Sequence, residues 1–181
     1  MDIKTPITKE MLKNLKAGDF LYITGTIYTA RDTAHKKLAE LISNNEKLPI
    51  DLNGCIIYYT GPSPTKPGNI VGSIGPTTSY RMDKYTPTLL EHGVAITIGK
   101  GKRNKEVIQA FKENKAIYCA AYGGAGAYLA SKIISIKTVA FPELGPEAIF
   151  ELEVKDFPVI VVNDIFGNDL YENRGENKDD W

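Results

Sequence analysis

Three times this 181-residue sequence runs a short apolar stretch into a glycine- or threonine-containing turn, then a cation, then a segment with helical spacing. Phe20–Tyr28 leads to Arg31, Asn69–Ile74 to Arg81, and Val94–Ile98 to Lys100. Strand and helix signals that alternate in this way restrict the chain to an α/β architecture, since each helix carries the chain back across a sheet face to the next strand. No repeat of fixed period and no linker interrupts the pattern. Residues 1–165 are therefore read as one domain, and 166–181 as a polar C-terminal tail, frayed or an arm onto a partner.

The remaining elements follow from local signals. Thr8–Leu15 reads as a short helix after an extended lead-in. Thr29 can cap the next helix while Asp32 reaches back to it, and Ala34, Leu38, Leu41 and Ile42 supply the buried stripe. Cys55–Thr60 is a buried strand ending at Gly61-Pro62, and Ser63–Asn69 a surface loop. Met82, Tyr85, Leu89 and Leu90 recur at helical spacing after Arg81, and Asn104 can cap a helix carrying Val107, Ile108 and Phe111. Ala116–Ala121 is a further strand. The late runs Ile134–Phe141, Ala148–Val154 and Pro158–Asn163 read as strands with antiparallel pairing.

Twenty-two basic and 22 acidic residues cancel, so no overall field draws the chain to nucleic acid or to an anionic membrane, and any anion recognition must be local. No segment approaches the roughly 18 apolar residues that a membrane span needs, and the lysines and acids of Met1–Asp19 leave no signal-peptide core. Cys55 and Cys119 lie in apolar runs and read as reduced thiols of a cytoplasmic protein.

Helix stability does not ask for Arg31 and Arg81 in first turns, where the dipole disfavours a cation by about 0.3–1 kcal/mol. In an open α/β sheet, ligands bind beyond the carboxyl ends of the strands. If the three ends lie together, two guanidinium forks and the Lys100 ammonium converge on one anion, a pattern that fits a small di-anion better than a neutral ligand. The alternative is a set of surface cations paired with nearby acids, Arg31 with Asp32 and Arg81 with Asp83. Thr77 and Thr78 either cap a helix or sit beside two cations at a helix N-terminus, where an alkoxide is stabilised. His35, one turn beyond Arg31, either packs or contacts substrate. Gly124-Ala125-Gly126 follows a strand but meets Leu129 where a dinucleotide fingerprint needs a third small residue, so close packing or amide contacts to an anion explain it better.

With these residues in place, the chain resembles the β subunits of the iron–sulfur hydro-lyases, the class I fumarase and L-tartrate dehydratase family. The matching pieces are Thr24-Gly25-Thr26, Thr29-Ala30-Arg31-Asp32-Thr33-Ala34-His35, Tyr59-Thr60-Gly61-Pro62, Gly75-Pro76-Thr77-Thr78-Ser79-Tyr80-Arg81-Met82-Asp83, Ile98-Gly99-Lys100-Gly101 and Glu143-Leu144-Gly145-Pro146-Glu147-Ala148. They run in order through nearly the whole chain. The resemblance implies a swivelling β/β/α domain, mixed sheets with helices packed around them, and reversible hydration of fumarate to L-malate. It implies that Arg31, Arg81 and Lys100, with Thr78 and His35, bind the substrate. It makes Thr77 the base that removes the C3 proton of malate, with an iron taking the departing hydroxyl. A [4Fe–4S] cluster with an open iron needs three thiolates, and this chain has two cysteines. The cluster is therefore expected on a separate α subunit, in an α2β2 heterotetramer whose active site forms at the junction. L-tartrate as substrate, and a stand-alone anion-binding module without turnover, are the other two readings.

Overall fold

Every residue of the apolar run Cys55–Tyr59 is buried, which requires cover on both faces of its strand. A computed structural model describing residues 1–65 and 67–173 shows how that cover arises. Five parallel strands lie in chain order: β1 (Asp2–Lys4), β2 (Phe20–Thr29), β3 (Ile56–Tyr58), β4 (Ile96–Gly99) and β5 (Ile117–Ala120). Antiparallel β6 (Ile133–Ala140) and β7 (Ile149–Asn163) complete a seven-stranded sheet of order β1-β2-β3-β4-β5-β7-β6. Strand β7 also pairs with β2, from Phe20↔Ile160 to Tyr28↔Glu151. The circuit β2-β3-β4-β5-β7 thus closes on itself, and the sheet is mixed, parallel through β5 and antiparallel at β6 and β7, as the α/β reading expects.

Strand alternation sorts the side chains into two cores. Ile56, Tyr58, Ile96, Ile98, Ile117 and Cys119 belong to the inner cluster, with Leu21, Ile23 and Val159. Ile57, Tyr59 and Tyr118 point the other way, onto α2 (Asp32–Ser43), α3 (Thr86–Glu91) and α4 (Lys105–Asn114) through Ala34, Leu38, Leu89, Leu90, Val107 and Phe111. Short helices α1 (Lys9–Leu12), α5 (Gly126–Ala130) and α6 (Leu170–Asn173) complete the described chain. None of its helices is long and apolar enough to cross a membrane.

Four sequence expectations change. Asn69–Ile74 is not a strand: Tyr58 donates to the Ile74 carbonyl at 2.6 Å and Ile74 N–H to Gly126 at 3.2 Å, so the segment crosses the sheet edge without a register. The helix expected after Thr78 is a 3-10 turn, Ser79–Met82, and α3 starts only at Thr86, where Pro87 sits in its first turn. The final pair of strands is one 15-residue strand that continues through Asp156 in a left-handed conformation (φ 52°). Of the expected tail, residues 166–173 bridge back to β7 through Asn163↔Asp169 and form α6, while 174–181 lie outside the described residues.

Candidate active site at the strand ends

The carboxyl ends of β2, β3, β4 and β5 share one edge of the sheet, and the sequence-predicted cations lie there. Lys100 directly follows β4. Its N–H donates to the Thr77 carbonyl at 3.2 Å, and its carbonyl accepts from Ser79 N–H at 2.9 Å, which forms a parallel bridge between Thr78 and Lys100. Thr77 N–H in turn donates to the Tyr59 carbonyl, beyond the end of β3, at 2.6 Å. Backbone bonds therefore bring Thr77, Thr78 and Lys100 together. The approach requires glycine at 99, where a Cβ would collide with Ser79 Oγ and lie 2.9 Å from a Tyr59 ring carbon.

This arrangement corrects the helix-terminus reading of the Gly75–Arg81 stretch. The amides of Thr77 and Ser79 are spent on sheet-like bonds and do not face a ligand as free donors. Thr78 precedes the 3-10 turn but makes no side-chain capping bond, and both threonines are partly exposed.

The two arginines pair with acids other than their sequence neighbours. Arg31 Nη2 lies 3.3 Å from Glu147, and Arg81 Nε lies 3.5 Å from Asp32. Asp32 therefore does not reach back to cap α2, and neither does Thr29, whose hydroxyl accepts from Phe150 N–H at 3.0 Å. Asp83 is taken by Arg103 at 2.6 Å. All four groups of the first two pairs are about a quarter to two-fifths exposed, so each pair is individually weak. Arg31 and Arg81 thus retain donors, and Arg31 Nε is buried with no partner.

His35 was expected among the substrate-binding groups, but it is 1% exposed. Its Nδ1 donates to the Arg31 carbonyl at 2.9 Å, and its ring packs edge-on to Tyr59 with centroids 5.1 Å apart. Burial pushes its pKa down to about 4, so the imidazole is neutral at pH 7 and supports the Arg31 turn from below.

Arg103 is also beneath the site. Its side chain donates to Asp83, Tyr59, Thr97 and Thr86, with the guanidinium 5.0 Å from the Tyr118 ring centroid. Asn104 caps α4 through Val107 N–H at 2.8 Å. The glycine-rich turn has a packing role: a Cβ on Gly126 would strike Ser73 Oγ and lie 3.0 Å from Gly75 N. Glu147 lies in the Glu143–Ala148 motif, but nothing local marks it as the partner of a residue 116 positions earlier.

The donor set does not fit an iron–sulfur cluster. Cys119 is buried within the inner core, and burial pushes the Cys55 thiol up to about 12 and the Cys119 thiol higher. No group of three or more His, Cys, Asp and Glu side chains among the described residues could hold a metal ion.

Comparison with known proteins places the chain in a family. The family model described as Fumarase C-terminus matches residues 1–174. The chain belongs to this family. A protein of Methanocaldococcus jannaschii, "Putative L(+)-tartrate dehydratase subunit beta", is 45% identical over 172 residues, covering 92% of this chain and 88% of the relative. The L(+)-tartrate dehydratase subunit beta of Escherichia coli is 36% identical, with coverages of 95% and 87%. Fumarate hydratase 2 of Leishmania major is 42% identical over 94% of this chain, but the match spans 31% of that relative. The fumarase C-terminus chain thus corresponds to nearly all of the two β-subunit relatives and to about a third of the fumarate hydratase. By name these relatives are hydratases or dehydratases, that is, hydro-lyases.

Proposed function

We propose that this chain is the β subunit of a cytoplasmic two-subunit hydro-lyase that reversibly hydrates fumarate to L-malate. The observation that carries the reading is the backbone bridge that sets Thr77 and Thr78 against Lys100 at the same sheet edge as Arg31 and Arg81. Three cations at neighbouring strand ends offset the two charges of a dicarboxylate, and Thr78 adds a hydroxyl donor. Thr77 is the base: nearby positive charge favours its alkoxide, which takes the C3 proton in dehydration, and its hydroxyl returns that proton to carbon in hydration. His35 serves below Arg31. Holding the substrate in this way contributes as much as about 7–11 kcal/mol in well-oriented systems.

The residues here do not hold the [4Fe–4S] cluster that the resemblance implies; it belongs on an α subunit, in an α2β2 assembly with the active site at the junction, where it would supply a Lewis acid for the hydroxyl that departs as Thr77 takes the proton. The names of the two near-full-length relatives support a divided enzyme. The test is reconstitution with a cluster-bearing α partner. Thr77→Ala should lower kcat by about 10²–10⁴-fold with KM changed far less; an unchanged kcat would leave Thr77 a structural residue. The chain alone should be folded and inactive, and fumarate hydration by the partner-free polypeptide would overturn the division of labour.

L(+)-tartrate is the second reading, favoured by those same two relatives. Comparing kcat/KM for fumarate, L-malate and L(+)-tartrate in the reconstituted pair decides between them.

A further inference from the structure

Arg31 occupies the N-cap position of α2, yet an arginine has no acceptor with which to cap, and its side chain makes no capping bond. The carboxylate of Glu147 does that work from another part of the chain. It is delivered by the 3-10 segment Pro142–Glu147 between β6 and β7. One of its oxygens accepts from Thr33 N–H at 3.3 Å, in the first turn of α2, and the other lies 3.3 Å from Arg31 Nη2. One carboxylate is therefore fastened to the helix backbone on one side and to the guanidinium on the other. The same segment is tied to α2 again through Glu143 and Lys37, 2.5 Å apart.

Space around Arg31 is arranged to match. Gly61 leaves room for its stem, since a Cβ there would lie 3.2 Å from Arg31 Cδ and 2.5 Å from the Pro146 carbonyl. Glu147 engages a single terminal nitrogen, so the guanidinium is held without being saturated. A long side chain fixed in advance loses less freedom when it binds a carboxylate.

We infer that Glu147 is a positioning residue, which orients Arg31 toward a substrate carboxylate and couples the β6–β7 connection to the site. The inference rests on the reading of Arg31 as a carboxylate-binding group. Glu147→Gln keeps an oxygen for the Thr33 amide and removes the charge that holds Arg31. Glu143→Gln cuts the other tie of the same segment and serves as the control.

In the reconstituted pair, Glu147→Gln should raise KM for the dicarboxylate about fivefold with kcat within about twofold of wild type, while Glu143→Gln leaves both within about twofold. An unchanged or lowered KM in Glu147→Gln, or equal effects of the two variants, overturns the assignment. The second measurement needs no turnover: the NMR signal of the Arg31 Nε–H in the full chain. Its side-chain order should fall in Glu147→Gln and stay at the wild-type value in Glu143→Gln; unchanged order in Glu147→Gln refutes positioning. If the wild-type pair turns over no dicarboxylate, the functional reading fails, and the NMR measurement still decides the role of Glu147.

Discussion

Replacing Arg103 with methionine tests what holds the cationic edge in place. The Arg103 side chain is fully buried and its ion-pair partner Asp83 is 8% exposed. Four acceptors meet the guanidinium, but they would not suffer equally from its loss. Tyr59 and Thr86 hydroxyls lie 3.3 Å apart and Thr86 also donates to the Met82 carbonyl, so both keep partners. Asp83 would keep only Asn104 N–H, at 2.9 Å. Removing one member of a buried ion pair costs about 3–5 kcal/mol, mostly through the stranded charge. For a chain of this size that corresponds to a fall in Tm of about 6–20 °C. Thermal unfolding of the full chain by circular dichroism reads the loss directly. The double variant Arg103→Met/Asp83→Asn removes the stranded charge as well, and should recover more than half of it. A fall below about 3 °C in the single variant, or no recovery in the double, would refute the stranded-charge argument.

Three further outcomes follow from the same structure. Burial lowers the His35 pKa to about 4, whereas the unfolded chain binds that proton near 6.5. The unfolded state therefore takes up more protons between these values, and wild type should lose up to about 3 kcal/mol relative to His35→Gln as pH falls from 6.5 to 4; parallel pH profiles would contradict this. Gly99→Ala should push Ser79 and the attached Thr77–Thr78 segment away from Lys100, costing about 1–3 kcal/mol and lowering kcat/KM of the reconstituted pair. Adding Ser79→Ala should restore part of both, and a fully active Gly99→Ala single variant would show that the approach is not tight. Cys55 and Cys119, buried with raised pKa, should resist a thiol reagent in the folded chain and react together on unfolding; rapid labelling under native conditions would contradict their burial.

Much of the architecture was legible because parallel strands buried on both faces leave uninterrupted apolar runs, as in Cys55–Tyr59 and Ala116–Ala121. The recurrence of a cation after an apolar run points to Arg31, Arg81 and Lys100, although the run before Arg81 is not a strand. Asn69–Ile74 misled because Val71 and Ile74 bury into the inner core as a strand would, but from a segment whose amides find isolated partners. The ion pairs were out of reach for a different reason. Asp32 and Asp83 sit beside Arg31 and Arg81 in sequence, yet Asp32 pairs with Arg81 and Asp83 with Arg103, and Glu147 arrives from a distant connection. Arg103 sits in a Gly-Lys-Arg run that looks solvated; only the ring of Tyr59, Phe111 and Tyr118 around it shows a buried charge.

Thr77 and Lys100 owe their proximity to backbone amides and carbonyls, which every residue except proline provides in full. Location and chemistry are consequently separable at these two positions. A change of side chain there alters what the edge can bind or deprotonate while the bonds that locate it persist. Under the proposed function, a change of substrate can come from swapping side chains on a fixed lattice, with no need to rebuild the loops that carry them.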